Sequence, residues 1–283
     1  MAKTKNLFAA LTRRGPHRVL RGDLAFAGLP GVVFTPESGT NLPAAVFGHD
    51  WLTGVARYSR TLEHLASWGI AAAAPDTETG IAPSVLNLAH DLGTTVDIVT
   101  GVRLGSGKIS VHPGKIGLVG HGFGGSAAVF AAAGLASTPV APKAIAALFP
   151  AVTRPAAGQA AAGLKTPGLI LAAPGHNLSF QSDAAELAAA WPAATLRTVA
   201  KARAGGLAEG FRLSRIVGLP GADKGTQKTV RALLTGYLLY QLTGDKTYRD
   251  FADAEVALPK TLTAGEAAEP PTLEEKVVAL LKG

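Results

Sequence analysis

The sequence predicts an α/β protein with a mostly parallel central sheet of about eight strands, flanked by helices. Short apolar segments typical of buried strands, such as residues 70–74 and 144–149, alternate along the chain with longer segments of helical spacing, such as residues 86–102. This alternation is typical of strands joined by crossover helices. In addition, 47% of the 283 residues are hydrophobic and 17% are charged, which supplies one large core and excludes a disordered chain.

The first half of the chain predicts six elements, each from its local pattern. The first predicted helix places Leu62, Leu65 and Ala66 on one face, and the apolar strand after it is stopped by Pro75. In chain order the elements are strands at residues 18–26, 31–35 and 44–47, a helix at 58–68, a strand at 70–74 and a helix at 86–102.

In the second half of the chain, strand-like and helix-like segments continue to alternate, and they supply the remaining strands of the predicted sheet. An apolar strand runs into a turn dense in glycine, and a helix of small residues follows the turn. In chain order the elements are a strand at residues 115–119, a helix at 124–133, strands at 144–149 and 168–173, a helix at 183–191, a strand at 196–200 and a helix at 230–242.

We expect one domain over residues 23–257, between two segments of different composition. Residues 1–22 form a basic leader that carries six of the seven net positive charges. Residues 258–283 form an acidic, proline-containing tail with a short amphipathic helix at residues 273–281. The leader is expected to be solvated and partly disordered, and the tail to be a docked or frayed terminus rather than a partner-binding helix.

The distribution of charge limits the partners of the chain. The formal net charge is +7, but the chain after the leader is nearly neutral, so no nucleic-acid-binding surface is expected. In the leader, Leu7, Phe8 and Leu11 share a helical face among basic residues. An alternative to a solvated leader is therefore a short amphipathic helix that lies on an anionic membrane.

The composition also excludes several classes of protein. There is no cysteine, so a disulfide framework, a thiolate nucleophile and a cysteine-ligated metal are impossible. No apolar run approaches the ~20 residues that a bilayer-spanning helix needs, and residues 1–22 lack the apolar stretch of a signal peptide. We expect a cytoplasmic protein, with association at the inner membrane surface as the alternative.

The segment from Gly117 to Gly125 is the most specific motif in the chain. It reads Gly-Leu-Val-Gly-His-Gly-Phe-Gly-Gly: an apolar strand, a sharp glycine-dense turn, and the start of a helix. The nucleophile elbow, Gly-x-Ser-x-Gly, has this arrangement, in which a strained turn pushes the central side chain out of the sheet. The central position here is Gly122, which presents no side chain. If the turn keeps the elbow's shape, Gly122 should have a positive φ.

The chain resembles the dienelactone-hydrolase and polyester-hydrolase (bacterial cutinase-like) branch of the α/β-hydrolases over residues 18–254. Besides the elbow, the resemblance rests on three segments in the family's order: residues 64–77, residues 111–116 and residues 236–251. They read His-Leu-Ala-Ser-Trp-Gly-Ile followed by Pro-Asp-Thr, then Val-His-Pro-Gly-Lys-Ile, then a final helix that continues to Phe251. The resemblance implies an α/β-hydrolase fold.

The resemblance also implies where a catalytic triad would lie, and all three positions are substituted. The nucleophilic serine falls on Gly122, the acid on His176 and the histidine on Gly206. The backbone amides of an oxyanion hole fall on Trp51 and Phe123. These two amides do not depend on side-chain identity, so they are the part of the machinery that is expected to remain.

Loss of the whole triad predicts a degenerate hydrolase that binds a ligand or partner. A serine needs a base, and the base needs an orienting acid, so the three groups work as a unit. The main alternative is an ester or lactone hydrolase with a relocated catalytic set that uses His49 and Asp50. The plainer interpretation is that Asp50 caps the helix that follows it. A second alternative is an accessory protein at a membrane surface or in the cell envelope.

A small acyl or aromatic ligand is the expected partner, because aromatic residues surround the predicted elbow. The plainer interpretation of these aromatics is core packing, and that of His121 is a packed imidazole. No metal site and no cofactor are expected, because the histidines lack ligand spacing and an ordered carboxylate. The protein partner, if any, is not indicated. The candidate lining residues are His49, Asp50, Trp51, His121, Phe123, Phe149, Arg154, His176 and Phe180.

Overall fold

The computed structural model describes residues 2–175, 182–210 and 221–262. His176 and Phe180, the predicted acid position and one predicted lining residue, lie outside the described residues. The predicted helix at residues 273–281 also lies outside them.

The predicted α/β class with a mostly parallel sheet flanked by helices is confirmed. The described residues form one nine-stranded sheet in the order β1-β2-β4-β3-β5-β6-β7-β8-β9. Strands β3 to β8 run parallel to one another, whereas β2 pairs antiparallel with β1 and β4, and β9 pairs antiparallel with β8. The strands are β1 (Val19–Asp23), β2 (Gly31–Pro36), β3 (Gly39–Gly48), β4 (Ala71–Pro75), β5 (Ile109–His121), β6 (Ala144–Leu148), β7 (Gly168–Ala172), β8 (Ala194–Val199) and β9 (Thr261–Leu262).

Helices cover both faces of this sheet. They are α1 (Ala2–Leu11), α2 (Ser59–Ser67), α3 (Val85–Gly101), α4 (Phe123–Leu135), α5 (Gly158–Ala162), α6 (Ala184–Ala190) and α7 (Lys224–Thr243). Short 3₁₀ turns occur at Leu24–Ala27, Val55–Tyr58, Ala204–Leu207 and Lys246–Phe251.

The core has two apolar layers, one on each face of the sheet. On β3, Ala45 and Phe47 belong to the layer shared with α1, α2 and α7. Ala44 and Val46, the alternate residues, belong to the layer shared with α3 and α4. Both sides of the strand are therefore buried, which explains its continuous apolar sequence.

Several predicted element boundaries are wrong, each for a local reason. The first strand ends at Asp23, because the Asp23 carboxylate accepts the Ala25 amide and starts a 3₁₀ turn in place of residues 24–26. Strand β5 begins at Ile109 rather than 115, because its first residues pair with the early part of β3. The ninth strand, β9, lies in the segment that was assigned to the tail, where it pairs with β8.

The leader is not a separate solvated segment, which corrects that expectation. Helix α1 packs against α7, with Phe8 and Leu11 buried and Leu7 partly buried. The Thr4 hydroxyl donates to the Asp250 carboxylate. The apolar face that the alternative interpretation placed on a membrane is therefore turned into the core, and a membrane contact through it would require α1 to detach. No helix among the described residues has the length and apolarity to cross a bilayer.

Leu11→Ala tests whether α1 belongs to the cooperative fold. Because Leu11 is fully buried, its truncation should lower the free energy of unfolding by about 2–4 kcal/mol. The control is Lys5→Ala on the exposed side of the same helix, which should change it by less than about 0.5 kcal/mol. Urea unfolding measures both, and equal effects would show that α1 is not part of the folded core.

Candidate functional site at the elbow

The turn between β5 and α4 has the positive φ that was expected for an elbow. Gly122 has φ 53° and ψ −117°, a conformation that residues with a Cβ adopt only under strain. Two backbone bonds hold the turn: Gly122 N donates to Leu148 O, and Ala151 N donates to Gly122 O, at 3.0 and 3.1 Å. Both partners belong to β6 or the loop that follows it, so the neighbouring strand fixes the turn.

The flanking glycines let α4 approach the sheet closely, as the motif predicted. A Cβ on Gly120 would lie 1.9 Å from the carbonyl oxygen of Gly124. A Cβ on Gly124 would lie 2.2 Å from the carbonyl oxygen of Gly48 on β3. Because both close contacts involve backbone atoms, a side chain at either position would push the helix away from the strands.

The Asp50 carboxylate lies where the two predicted oxyanion-hole amides converge. Asp50 Oδ1 accepts a hydrogen bond from Trp51 N at 2.9 Å and a second from Phe123 N at 3.0 Å. One donor belongs to the loop after β3 and the other is the first amide of α4. The expectation that Asp50 caps the helix after it is therefore wrong. Asp50 instead caps α4. The 3₁₀ turn that follows Asp50 in the chain, Val55–Tyr58, is capped by Asp76, whose Oδ1 accepts the Val55 amide.

Asp50 also fills the space that a side chain at the elbow would need. A Cβ built on Gly122 would lie 2.0 Å from Asp50 Oδ1 and 2.4 Å from Asp50 Cγ. Carbon atoms do not approach so closely, so the glycine at position 122 and the carboxylate of Asp50 depend on each other. The side chain of Asp50 is 22% exposed, so it retains contact with solvent.

Tyr58 and His121 connect three loops at this edge of the sheet. The Tyr58 hydroxyl accepts from Asp50 N at 3.2 Å and lies 2.8 Å from His121 Nδ1. His121 Nε2 lies 2.8 Å from the Ala204 carbonyl oxygen. A carbonyl can only accept, so Nε2 carries the proton and, in the neutral ring, Nδ1 accepts from Tyr58. This assignment follows from the network of partners.

The His121 ring is packed as well as hydrogen-bonded, in agreement with its plainer interpretation. It is buried and meets the edge of Phe149, with ring centroids 6.0 Å apart. Its Nδ1 lies 3.9 Å from Asp50 Oδ2. His121 is therefore the imidazole that faces the Asp50 carboxylate.

The His49 ring nitrogens contact two backbone carbonyl oxygens rather than the Asp50 carboxylate. The ring is fully buried, with Nδ1 3.0 Å from the Asp50 carbonyl oxygen and Nε2 2.6 Å from the Thr77 carbonyl oxygen. Both ring nitrogens face acceptors, so His49 ties the loop after β3 to the loop after β4. A neutral imidazole donates only one of these two bonds.

The predicted lining residues fall into two groups. Trp51 is half exposed, and its indole Nε1 donates to Ile81 O at 3.0 Å. Phe123 is partly buried, whereas Phe149 is a core residue and Arg154 is exposed. Only Trp51 among these four therefore presents a large apolar surface beside the elbow.

The position predicted for a catalytic histidine belongs to a turn that contacts His121. Gly206 lies in the 3₁₀ turn after β8, and Ala204 in the same turn contacts His121. A Cβ on Gly206 would lie 2.9 Å from the Asp223 Cβ. The described part of this loop, up to residue 210, brings the Ala204 carbonyl oxygen to His121 beside the elbow.

Sequence reasoning missed Glu209, which anchors that loop. Its carboxylate accepts from the amides of Arg60 and Thr61 at 3.0 Å, and so caps the start of α2. Arg231 on α7 pairs with the same carboxylate at 2.8 Å. Glu209 is about 150 residues from α2 in the chain, so no local pattern could have indicated this cap.

Asp183, also missed, is a buried acid at the same edge of the sheet. Its amide donates to Pro150 O, and its neighbour Ser182 bridges to Ala151, which in turn bonds Gly122. Within the described part of the chain, Asp183 Oδ2 has no hydrogen-bond partner. Burial, and secondly the charge of Glu186, raise the pKa of Asp183 to about 6.

A metal centre has no support in residues 2–175, 182–210 and 221–262. They hold no cluster of three or more His, Asp or Glu side chains suited to a metal ion.

Comparison with known proteins assigns no family to the chain. No protein-family model matches it, and no curated protein matches it significantly.

Gly122→Ala tests whether the position of the Asp50 carboxylate requires a glycine at residue 122. The substitution adds backbone strain of about 1–3 kcal/mol and forces the carboxylate away from two amides, each bond being worth about 1.5–3 kcal/mol. We expect a loss of unfolding free energy of about 3–5 kcal/mol. In an Asp50→Ala background the same substitution should cost only the strain.

The control for this cycle is Gly134→Ala on the exposed side of α4, where a Cβ meets open space. It should stabilise the protein by about 0.5–1 kcal/mol. Thermal or urea unfolding of the variants gives the coupling energy. Equal penalties for Gly122→Ala with and without Asp50 would contradict the mutual dependence.

Asp183→Asn tests the buried acid through the pH dependence of stability. The folded pKa is raised, so the folded state keeps a proton that the unfolded state releases between pH about 4 and about 6. Wild-type stability should therefore fall over this window relative to the variant, by on the order of 2 kcal/mol.

Stability must be compared between the wild type and Asp183→Asn, because His64 changes the free energy of unfolding with pH in the opposite direction. Burial and the Arg231 guanidinium lower the pKa of His64 to about 4, so its contribution rises with pH. The difference in unfolding free energy between wild type and Asp183→Asn, measured from pH 4 to 7, isolates Asp183. A difference that stays constant with pH would show that its carboxyl is not perturbed.

Proposed function

We propose that this protein is a catalytically degenerate α/β-hydrolase-like protein that acts by binding a ligand or partner. The observation that carries the proposal is the Asp50 carboxylate, whose Oδ1 accepts from both Trp51 N and Phe123 N. In a working hydrolase, two such amides must be empty to receive the oxygen that becomes negative in the transition state.

The chemistry of ester hydrolysis meets three obstacles at this elbow. Gly122 has no nucleophile, and Gly206 has no base. The oxyanion site holds a carboxylate, whose negative charge opposes the developing oxyanion. Because triad members act as a unit, the loss of any one already removes most of the rate enhancement.

The assignment to the α/β-hydrolase fold is part of the proposal. Three features support it. The first is the strand-turn-helix unit formed by β5, Gly122 and α4, and the second is the positive φ of its turn. The third is that the loops after β3 and β8 both contact this turn or the residue before it. In this proposal, the backbone groups of the elbow correspond to those of a hydrolase active site, and the triad positions carry other residues.

A second candidate is a hydrolase with a relocated catalytic set, and one distance favours it. Asp50 occupies the position of the vacated side chain, and its Oδ2 is 3.9 Å from His121 Nδ1. In this candidate, Asp50 and His121 form the acid–base pair. His49 is excluded from the pair because its ring nitrogens face two carbonyl oxygens.

An ester-hydrolysis assay separates the two candidates. We expect the pure protein to hydrolyse p-nitrophenyl acetate, p-nitrophenyl butyrate and a simple lactone no faster than a buffer blank. Asp50→Asn, which keeps the shape of the side chain and removes its charge, should behave in the same way.

Turnover well above the blank would overturn the binding proposal. If Asp50→Asn then abolished that turnover while circular dichroism showed an intact fold, the relocated set would be supported. Asp23→Asn is the matched control, because Asp23 also accepts a backbone amide but does so at the far edge of the sheet.

A further inference from the structure

We infer that α1 is a releasable arm: protonation of His64 detaches it from the core, and its freed apolar face then binds an anionic membrane. Residues 2–13, which are α1 and the two residues after it, are called the arm below. This role is separate from the binding proposed at the elbow.

His64 is buried where the arm meets α2. Its ring donates to the carbonyl oxygen of Leu11, the last residue of α1. Within the described residues, the ring nitrogen Nε2 has no hydrogen-bond partner, so the donor is Nδ1. A proton added at Nε2 would create a buried charged N–H group without an acceptor, which is costly. The docked arm therefore requires the neutral ring.

The charges around His64 also oppose its protonation. The Arg231 guanidinium on α7 repels a charge on the imidazole, and the Glu209 carboxylate is 2.8 Å from that guanidinium. Glu63, next to His64 on α2, pairs with Arg14 just after the arm at 3.3 Å. Burial, and secondly Arg231, lower the pKa of His64 from its ordinary value of 6.5 to about 4.

Release of the arm is linked to protonation because the arm covers the imidazole. When α1 leaves, His64 loses the contact with Leu11 and meets water, and its pKa returns toward the ordinary value. A proton then binds the released state more tightly than the docked state, so docking weakens as the pH falls from 6.5 to about 4. The docking equilibrium constant should fall about 20-fold between pH 7 and pH 5.

The chain after the arm is anchored independently, so the arm can leave without it. The Gly15 amide donates to Ser67 Oγ at 2.9 Å, and the His17 amide donates to Ser67 O at 3.0 Å. Both bonds join this segment to the last residue of α2. The hinge for release therefore lies between the arm and Gly15.

Polar contacts near both ends hold the arm in addition to its apolar face. The Thr4 hydroxyl donates to the Asp250 carboxylate near the start of the arm. The Trp68 indole donates to the carbonyl oxygen of Arg13, its last residue, at 3.1 Å. All of these bonds are made to side chains, which water can replace when the arm detaches.

The released arm is chemically suited to an anionic membrane. Leu7, Phe8 and Leu11 form one apolar face, Lys3 and Lys5 are exposed, and the first 22 residues of the chain include no acid. Helices of this composition bury their apolar face at the lipid headgroups and attract anionic lipids. The negative surface potential of such a membrane also concentrates protons, which favours release where the arm would bind.

Hydrogen exchange measures release without lipid. The protection factor is the intrinsic exchange rate of an amide divided by its measured rate, and we compare Leu11 N with Val119 N on β5 at pH 7 and pH 5. In the wild-type protein, Leu11 protection should fall about 20-fold. In His64→Gln, which cannot titrate but can still donate to Leu11 O, it should change less than about threefold. The matched control, His17→Gln, removes an exposed imidazole after the arm and should behave like the wild type.

Loss of Leu11 protection only where His64 is present, with Val119 more protected at both pH values, supports release of the arm. Equal losses in the wild type and His64→Gln, or equal protection of Leu11 and Val119, would overturn it. If His64→Gln does not fold, the wild-type protein decides: unchanged Leu11 protection between pH 7 and pH 5 refutes release, and a loss beside a better protected Val119 supports it.

Vesicle binding tests the partner. Vesicles of equal parts phosphatidylserine and phosphatidylcholine are titrated with the same three proteins at pH 7 and pH 5. Because the arm must be released first, binding by the wild type and His17→Gln should tighten about tenfold or more at pH 5, and binding by His64→Gln less than about threefold. Vesicles of phosphatidylcholine alone should bind none of them. Equal tightening in His64→Gln, or none in the wild type, would overturn the membrane role.

Discussion

The pair of hydrogen bonds from Trp51 N and Phe123 N to the Asp50 carboxylate is the interaction on which the elbow depends. It caps α4, joins the loop after β3 to the end of β5, and occupies the space in front of Gly122. A side chain at position 122 and a carboxylate at this point exclude each other. Glycine is therefore the residue that this arrangement requires at position 122.

The loops around the elbow are held together by side-chain contacts away from Gly122. Tyr58 and His121 link the loop after β3 to the turn that holds Ala204. Glu209 and Arg231 then fasten the following residues to α2 and α7. These contacts are buried and hydrogen-bonded, so they stabilise the fold independently of catalysis.

The N-terminal helix shows how composition can mislead. Its basic residues and apolar face are typical of a helix on a membrane surface. In the structure, Phe8 and Leu11 complete the apolar layer against α7, and the charged residues remain outside. An amphipathic helix buries its apolar face against whichever apolar surface is available, and the sequence of the helix does not name that surface.

The sequence by itself determined the α/β class, the order of most strands and helices, the close-packing glycines around position 122 and the positive φ there. These features are local: they follow from apolar periodicity and from backbone sterics. Only the tertiary structure decided what fills the elbow, because Asp50 and Phe123 are 73 residues apart and meet through the pairing of β3 with β5. The cap by Glu209, the orphaned Asp183 oxygen and the docking of α1 likewise depend on distant partners. Which distant side chains meet depends on the order in which the strands pair, and a short segment of sequence does not specify its partner strand.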